Sequence, residues 1–455
     1  MSFIGRKKEL SFLKSRYNSE GSSITVLYGH KGVGKTALCR KFSQGLPSCF
    51  LFARECADLW QRMFFAADAG LRSSSGKDCS YAEIFDAALK ARGRQGEKFV
   101  LVIDEFQDAL RVSDSFMTEL IDFVNKSESQ VMCLLISSSV SFVENDLVPS
   151  IGRSAVSIDT FYKLPELGFL DCVKYFSRYS TGDCIKVYSI LGGYPAYWKC
   201  FSDEMSPEEN IKKNILDPSS FMYSEGRSIV AFELRELGVY STVLHCLAGG
   251  LDKLNDIHQS TGYSRAKISV YLKNLMEMEL VEKVFSFEGA NNANAKKGIY
   301  RITVPYLRFF MLFLYENKGM LEMVSADEFY DAAVRKEIES FYLTGIKKVC
   351  AEYLSILNES GALVINAVRS GEWQGKSGNI DIILQDENGK NILGFCPVSM
   401  KDAGVQEYTS CLKTIRASGL SADEIYIFSA AGFSDELKAM SVSEGNIKLV
   451  SLEDL

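Results

Sequence analysis

Near the amino terminus, a lysine, a threonine and three glycines have the types and the spacing that a triphosphate site requires. Residues 29–36 read GHKGVGKT, which fits the pattern GxxxxGK[ST] without a gap. Glycines let the backbone fold tightly enough for its N–H groups to face phosphate oxygens. The Lys35 ammonium is expected to reach the β- and γ-phosphates of ATP, and the Thr36 hydroxyl to ligate Mg²⁺. The predicted ATP contacts in this loop are Gly29, His30, Lys31, Gly32, Val33, Gly34, Lys35, Thr36 and Ala37.

Two adjacent carboxylates follow further along the chain, at the end of an apolar run. The segment KFVLVIDEFQDAL places Asp104 and Glu105 where a buried strand is predicted to end. This is the Walker B form, in which the first carboxylate holds the metal and the second polarises a water. We therefore predict Asp104 as a magnesium ligand together with Thr36, and Glu105 as the base for ATP hydrolysis.

A third apolar run, QVMCLLISSSVSF, ends in serines, and an arginine follows it at a tight turn. Folds that hydrolyse nucleotides place a polar side chain between the two Walker motifs, and Ser138 is the candidate here. Ser137 and Ser139 are close rivals, and a serine-rich turn without a role in catalysis is the alternative. Arg153 in the segment VPSIGRSAVSID could reach a γ-phosphate in its own chain or in a neighbouring one. A plain surface arginine is the competing interpretation.

The elements that position these groups are predicted from the same segments. ITVLY before the glycines has the pattern of a buried strand, and TALCRKF after them that of a helix. A strand, a glycine loop and a helix in direct succession are the context that a phosphate-binding loop needs. The fold class predicted for this part of the chain is therefore α/β.

Six segments, taken in order, resemble one family of nucleotide-binding proteins. FIGRKKELSFL, the glycine loop, LVIDEFQDA, the serine strand, SIGRSA and LGGYPAYW are similar to the archaeal-type AAA+ ATPases, which are related to the STAND signalling ATPases. The resemblance covers about residues 1–320. It implies that the segment Phe3–Leu10 lies by the adenine, and that the Gly192–Pro195 turn of a helical lid faces the nucleotide. The residues that the resemblance adds to the ATP site are Phe3, Ile4, Gly5, Arg6 and Pro195.

The length, composition, net charge and cysteine count of the chain limit its domain organisation, its partners and its location. It has 455 residues, 47% of them apolar and 24% charged, which predicts about three packed domains and little disorder. Its net charge of −7 argues against general binding of polyanions, so nucleic-acid contact would need a local basic patch. The 12 scattered cysteines, with no CxxC pair, favour reduced thiols over a zinc site. A cytoplasmic location is expected, because no segment has the pattern of a signal peptide or a membrane span.

The motifs divide the chain into four predicted segments: an ATPase core at 1–165, a helical lid at 166–235, a winged helix-turn-helix at 236–324 and a further α/β domain at 325–455. The winged helix is predicted from three helical stretches followed by two strands around a polar loop. Its third helix would offer four side chains to a DNA major groove, and its loop two lysines to phosphates. The alternative is a module that only packs against the ATPase. The candidate DNA contacts are Ser264, Arg265, Lys267, Tyr271, Lys296 and Lys297.

The last quarter of the chain resembles the restriction-endonuclease-like fold, in the form called DUF234. GNIDIILQDENGKNILGF predicts a hairpin around an Asn-Gly turn. The resemblance implies a metal site made by Glu-Ile-Asp and Gly-Glu-Cys-Lys segments. Here Asn379 replaces the first glutamate, Phe395 and Pro397 replace the second glutamate and the lysine, and only Asp381 remains. Lys347 stands where relatives carry a glutamate on a helix, so we predict the shell of a nuclease site without its activity.

Three functions follow from these patterns. The preferred one is an ATP-binding and ATP-hydrolysing molecular switch with a degenerate nuclease-like domain. The alternatives are an ATP-dependent nuclease of a defence or mobile-element system, and a DNA-binding transcription regulator with an ATP switch. A protein partner and a homo-oligomer are compatible with all three, and no membrane partner is expected.

Overall fold

The computed structural model describes residues 3–71, 77–231, 234, 236–287 and 298–455. The chain divides into two compact units, residues 1–167 with 194–196, and residues 168–193 with 197–455. Within the described residues, no helix is long and apolar enough to cross a lipid bilayer.

The first unit contains five parallel strands: β1 (Ser23–Tyr28), β2 (Ser48–Phe52), β3 (Phe99–Asp104), β4 (Val131–Ser137) and β5 (Thr160–Lys163). They lie in the order β2-β3-β4-β1-β5, so β4 separates β1 from β3. Every residue of β3 and β4 is buried, as expected for parallel strands covered on both faces. The α/β class predicted from the sequence is confirmed. Because the strands are parallel, β1, β3 and β4 all end at one edge of the sheet.

Seven helices of the first unit lie within its described residues. They are α1 (Lys7–Asn18), α2 (Lys35–Phe42), α3 (Asp58–Asp68), α4 (Tyr81–Arg92), α5 (Phe106–Val112), α6 (Phe116–Lys126) and α7 (Leu147–Ile151). A π-helical turn at Phe142–Asp146 precedes α7, and a 3₁₀ segment at Gly152–Ser157 follows it. The core of this unit is formed by the apolar faces of the sheet and of α3, α4 and α6.

The second unit begins with helices. They are α8 (Phe169–Tyr175), α9 (Thr181–Leu191), α10 (Pro195–Trp198, whose first two residues count with the first unit), α11 (Pro207–Asn214) and α12 (Phe221–Ala231). Three more helices and a two-stranded antiparallel sheet follow: α13 (Leu237–Ala248), α14 (Leu254–Thr261), α15 (Arg265–Glu277), β6 (Val281–Val284) and β7 (Ile299–Ile302). This is the order expected of a winged helix. The predicted loop contacts Lys296 and Lys297 lie outside the described residues.

Short helices lead into the C-terminal part of the second unit. They are α16 (Pro305–Phe309), a π-helical turn (Phe310–Tyr315), α17 (Lys318–Leu321), α18 (Ala326–Phe329), a second π-helical turn (Tyr330–Val334) and the long helix α19 (Ile338–Glu359). A mixed sheet with two helices completes the chain: β8 (Arg369–Gly375), β9 (Gly378–Gln385), β10 (Asn391–Phe395), α20 (Val405–Ser418), β11 (Glu424–Ser429), α21 (Asp435–Glu444) and β12 (Ile447–Ser451). The strand order is β12-β11-β10-β9-β8. The predicted hairpin is confirmed, because β9 and β10 pair antiparallel.

Two sets of contacts join the C-terminal sheet to the rest of the second unit. The β6–β7 sheet lies against the edge strand β8: Phe287 N donates to Glu372 O at 2.7 Å, and Arg301 forms an ion pair with the Glu372 carboxylate at 2.8 Å. On α19, the Glu352 carboxylate accepts from Phe169 N at 2.6 Å and from the Tyr188 hydroxyl at 2.5 Å. Helices α8 and α9 are therefore tied to α19 by partly buried polar contacts as well as by packing.

Candidate functional site

The loop between β1 and α2 turns tightly because glycines occupy its sharpest positions. Gly34 has a φ of 99° and directly precedes α2. Gly29 has a φ of 147°, and a Cβ placed on it would lie 2.5 Å from Leu164 O. A residue other than glycine would be strained at both places. The glycine pattern in the sequence thus corresponds to a backbone that only glycine can follow here.

Lys35 is the first residue of α2, and its ammonium turns back into the loop. Its Nζ donates to Gly29 O at 2.7 Å and to His30 O at 3.0 Å, and the residue is 5% exposed. Burial lowers the pKa of Lys35 to about 8, against the opposing attraction of Glu105 and Asp104. A cation enclosed by the loop in this way faces the position that phosphate groups take in such loops.

Thr36 and Asp104 meet although 68 positions separate them in the chain. The Thr36 hydroxyl donates to Asp104 Oδ2 at 2.6 Å. Asp104 is 7% exposed, and burial raises the pKa of its carboxyl. Hydroxyl and carboxylate oxygens are the ligands that Mg²⁺ prefers. The donor set of these two residues therefore fits magnesium held jointly with substrate phosphates.

Glu105 follows Asp104 at the edge of the sheet, with a φ of 52°. Its Oε2 accepts from Gln107 Nε2 at 2.8 Å and from Ser138 N at 3.0 Å, and its Oε1 accepts from the Ser138 hydroxyl. Of the three serines considered from the sequence, Ser138 contacts Glu105. The hydroxyl of Ser137 and the backbone N–H of Ser139 instead bond to each other at 3.1 Å.

Arg6 forms hydrogen bonds to the backbone of the glycine loop and of the segment that follows β5. Its guanidinium donates to Val33 O at 2.9 Å and to Pro165 O at 2.7 Å, and forms an ion pair with Glu9 at 2.9 Å. The residue is only 6% exposed, so these three partners occupy its guanidinium. Its neighbours in the predicted adenine segment, Phe3, Ile4 and Gly5, are half-buried.

The Tyr194–Ala196 turn packs directly on the glycine loop. The Tyr194 hydroxyl lies 3.0 Å from His30 Nδ1, and Ala196 N donates to Gly32 O at 3.2 Å. The Pro195 ring is 3.9 Å from the position that a Cβ on Gly34 would occupy. The structure thus places Pro195 beside the loop, as the resemblance implied.

Three other residues predicted for the site are exposed. Lys31 and Ala37 are exposed. Arg153 is exposed in the 3₁₀ segment that follows α7, and the described residues offer its guanidinium no hydrogen bond or ion pair. The residue missed by sequence reasoning is Gln107, two positions after Glu105. The pattern DEFQD contained it, but nothing in the pattern indicated that its amide would reach the Glu105 carboxylate.

Two family profiles match the chain. The profile described as "AAA domain" covers residues 18–141, and DUF234, described as archaeal and bacterial proteins of unknown function, covers residues 310–408. The chain combines an AAA domain with a DUF234 domain. An uncharacterized protein of Methanocaldococcus jannaschii, MJECL04, is 23% identical over 99% of both chains. An uncharacterized ATP-binding protein of the same organism, MJ0423, is 45% identical over 9% of this chain and 68% of its own length.

Two solved structures are similar to part of the chain. The Walker-type ATPase PABY2304 of Pyrococcus abyssi has a TM-score of 0.50 and 16% identity, over 68% of this chain and 96% of its own. The ORC2 protein of Aeropyrum pernix, solved with ADPNP and ADP, has a TM-score of 0.45 and 14% identity, over 71% of this chain and 96% of its own. The similarity to PABY2304 supports a P-loop ATPase fold and gives no information on binding partners.

In the DUF234 domain, a cavity of about 370 Å³ lies beside the remaining acidic residue of the nuclease pattern. Asp381 Oδ2 accepts from Cys396 N at 3.0 Å, and Oδ1 forms an ion pair of 2.5 Å with Lys347 of α19. Phe395 and Pro397 line the same cavity. The Lys347 ammonium therefore contacts the only carboxylate that the sequence analysis left in the metal site implied by the resemblance.

The side chains on α15 that are predicted to contact DNA differ in the partners that they already have within the protein. The Ser264 hydroxyl caps the helix by accepting from Lys267 N at 3.2 Å, and Arg265 donates to Asn255 at 2.6 Å. Lys267 is exposed, with its ammonium 4.8 Å from the Tyr263 ring. Tyr271 is half-buried: its ring packs 4.5 Å from Tyr240 and its hydroxyl is bonded to a glutamate, and its contact with DNA stays a prediction.

Proposed function

We propose that this protein is a molecular switch that binds ATP with Mg²⁺ and hydrolyses it at the AAA domain. The observation that carries the proposal is the 2.6 Å hydrogen bond between Thr36 and Asp104, beside the enclosed ammonium of Lys35. This bond unites the two Walker motifs at one edge of the sheet. Such a pairing is what a magnesium-dependent phosphate site needs.

Each residue of the cluster has a role that its chemistry supports. Lys35 binds the β- and γ-phosphates, and Thr36 and Asp104 would hold magnesium, which neutralises phosphate charge when bound. Glu105 accepts a proton from the attacking water. The water oxygen then bonds to the γ-phosphorus, the bond from that phosphorus to the bridging oxygen breaks, and ADP leaves with the displaced electron pair. Ser138 and the exposed Arg153 are candidates for contacting the γ-phosphate.

The direct test is phosphate release by the purified protein in ATP, with Mg²⁺ and with excess EDTA. Release that depends on Mg²⁺ supports the proposal. An absence of release, together with an absence of ATP binding by calorimetry, contradicts it. ATP binding without release would reduce the proposal to a nucleotide-binding switch.

We further propose that the DUF234 domain does not cut nucleic acid. The 2.5 Å pair of Lys347 and Asp381 neutralises the remaining carboxylate, and Phe395 and Pro397 cannot supply the missing ligand and ammonium. Asp381 instead supports the fold, since it accepts the backbone N–H of Cys396 at 3.0 Å. This makes Asp381 a structural acceptor.

Replacing Asp381 with alanine should therefore lower stability and leave nucleic-acid chemistry unchanged. The substitution leaves the Cys396 N–H without its acceptor, which costs about 1–3 kcal/mol of unfolding free energy. Denaturant unfolding checks this, with Asp402→Ala as a control, because Asp402 is exposed and lines the same cavity. Plasmid, linear duplex, single-stranded DNA and RNA are incubated with each protein in Mg²⁺ or Mn²⁺. Cleavage by the wild type that Asp381→Ala abolishes would restore the nuclease hypothesis.

DNA binding through the winged helix is a second candidate function. The observation that favours it is the exposed side of α15, where Arg265, Lys267 and Lys273 are all exposed. Against it, the hairpin packs on β8, and the ion pair of Arg301 with Glu372 uses one of its cations. The helix is therefore a better candidate for DNA contact than the described part of the wing.

If α15 binds DNA, Lys267→Ala should weaken binding about equally for all sequences. It should also reduce the slope of log K against log salt by about 1, because one phosphate contact is lost. Fluorescence anisotropy with a labelled duplex at several salt concentrations measures both. Lys14→Ala, an exposed lysine of α1, is the matched control. Equal slopes for Lys267→Ala and Lys14→Ala would remove α15 from consideration.

A further inference from the structure

Three hydrogen bonds hold the carboxylate of Glu105. Gln107 Nε2 donates to Oε2 at 2.8 Å, Ser138 N donates to the same oxygen at 3.0 Å, and the Ser138 hydroxyl donates to Oε1. The two oxygens of an ionised carboxylate accept about four hydrogen bonds in all. Protein donors therefore take most of the capacity of a group that must accept a proton from water. About one acceptor position of the Glu105 carboxylate is left for water.

Gln107 is a buried polar residue, and its contact with Glu105 explains why a polar side chain occupies this position in the core. The residue is 2% exposed, and its Oε1 has no hydrogen-bond partner among the described residues. A buried carboxamide oxygen without a donor is unfavourable, and an apolar side chain of similar size would avoid that cost. The amide is oriented by Glu105, because turning it over would bring its oxygen against the carboxylate.

The backbone conformation of Glu105 is also unusual. Its φ of 52° lies in the left-handed region, which residues with a side chain adopt at some cost. Strain of this kind persists where surrounding contacts hold it. The Asp108 N–H donates to Glu105 O at 2.9 Å and closes the first turn of α5, which brings Gln107 within reach of the Glu105 side chain.

We propose that Gln107 is a positioning residue that, together with Ser138, holds Glu105 at rest and keeps basal ATP hydrolysis slow. The inference rests on the proposed ATPase function. A γ-phosphate close to Ser138 competes with Glu105 for the serine hydroxyl and removes one of the three donors. The bond from Gln107 then determines how readily Glu105 turns to the attacking water. A change in α5 that withdraws Gln107 would raise turnover without altering the phosphate contacts.

The test compares Gln107→Leu with Gln61→Leu. Gln61 is a fully buried glutamine on α3 whose Oε1 accepts from Arg54 N at 2.8 Å. Gln107→Leu should raise kcat for ATP about three- to tenfold and leave KM unchanged, because one charge-assisted hydrogen bond to the base is lost. Gln61→Leu should change neither quantity. An unchanged or lower kcat in Gln107→Leu overturns the proposal.

A second measurement needs no turnover. The Tm of the nucleotide-free protein is compared for Gln107→Leu, Glu105→Ala and the double variant. If the Gln107 and Glu105 side chains stabilise each other, the decrease in Tm of the double variant is smaller than the sum of the decreases in the two single variants. Additive losses overturn the proposal even in a protein that hydrolyses no ATP. Non-additive losses in such a protein would support the contact and contradict the ATPase function, so the two failures are distinguishable.

Discussion

Lys35→Ala is expected to lower ATP affinity at least about 100-fold, which calorimetry would register as an absence of binding. In the proposed ATP complex, the ammonium would make charge-assisted contacts to two phosphates, each worth about 1.5–3 kcal/mol. In this structure the same ammonium donates to Gly29 O and His30 O, so its removal takes one donor from each of two loop carbonyls, of which His30 O still accepts from Val33 N at 3.4 Å. The substitution therefore acts on the ligand contact and on the shape of the loop.

The matched control for Lys35→Ala is Lys41→Ala. Lys41 lies on the same helix, is exposed, and donates to Gln44 at 3.3 Å. Circular dichroism and Tm of both variants separate lost binding from lost folding. Retained ATP affinity in a folded Lys35→Ala protein would place the nucleotide elsewhere.

The same lysine predicts a pH dependence of ATP binding. Burial lowers the pKa of Lys35 to about 8, so in the nucleotide-free protein the ammonium loses its proton as pH rises through that value. Phosphate binding requires the charged form, and ATP affinity should therefore fall as pH rises from 7 to 9. Calorimetry at several pH values in buffers of different ionisation enthalpy would also detect proton uptake on binding above pH 8. The absence of both effects would contradict the enclosed position of this side chain.

Glu105→Gln is expected to bind ATP normally and to reduce turnover by about 10²–10⁴-fold, since general-base catalysis contributes that much. The amide keeps the size of the side chain and one acceptor oxygen for Gln107 or Ser138, but it cannot take a proton. Single-turnover phosphate release and ATP calorimetry on the same protein measure the two quantities separately. Glu128→Gln, an exposed glutamate between α6 and β4, serves as the control.

A Glu105→Gln protein that hydrolyses ATP at the wild-type rate would show that another residue is the base. Asp108 would then be the first residue to examine. Burial raises the pKa of Asp108 to about 6, with repulsion from Glu105 and Glu55 acting in the same direction. Its carboxylate is paired with Arg111 at 3.2 Å, which favours a structural role over proton transfer.

The sequence by itself determined the phosphate-binding loop and the identity of its chemistry. Residues 29–36 are contiguous, and a strand, a glycine loop and a helix follow one another in the chain, so local preferences are enough to specify the loop. The positions of Asp104 and Glu105 were predictable for the same reason, because the apolar run before them forms β3, which ends at Asp104. The hairpin of β9 and β10 was likewise predictable, because its turn residues are local.

Only the tertiary structure decided which distant side chains meet these groups. The position of β4 between β1 and β3 brings Ser138 to Glu105, and no local pattern distinguished it from its serine neighbours. Likewise, the packing of α19 sets Lys347 against Asp381 as an ion pair, which no local pattern indicated. Helical periodicity gives the direction of Tyr271 on its helix, but only the tertiary structure shows that its ring packs against Tyr240. Such contacts depend on the order of strands and on helix packing, which arise from the summed burial of apolar surface rather than from any one segment.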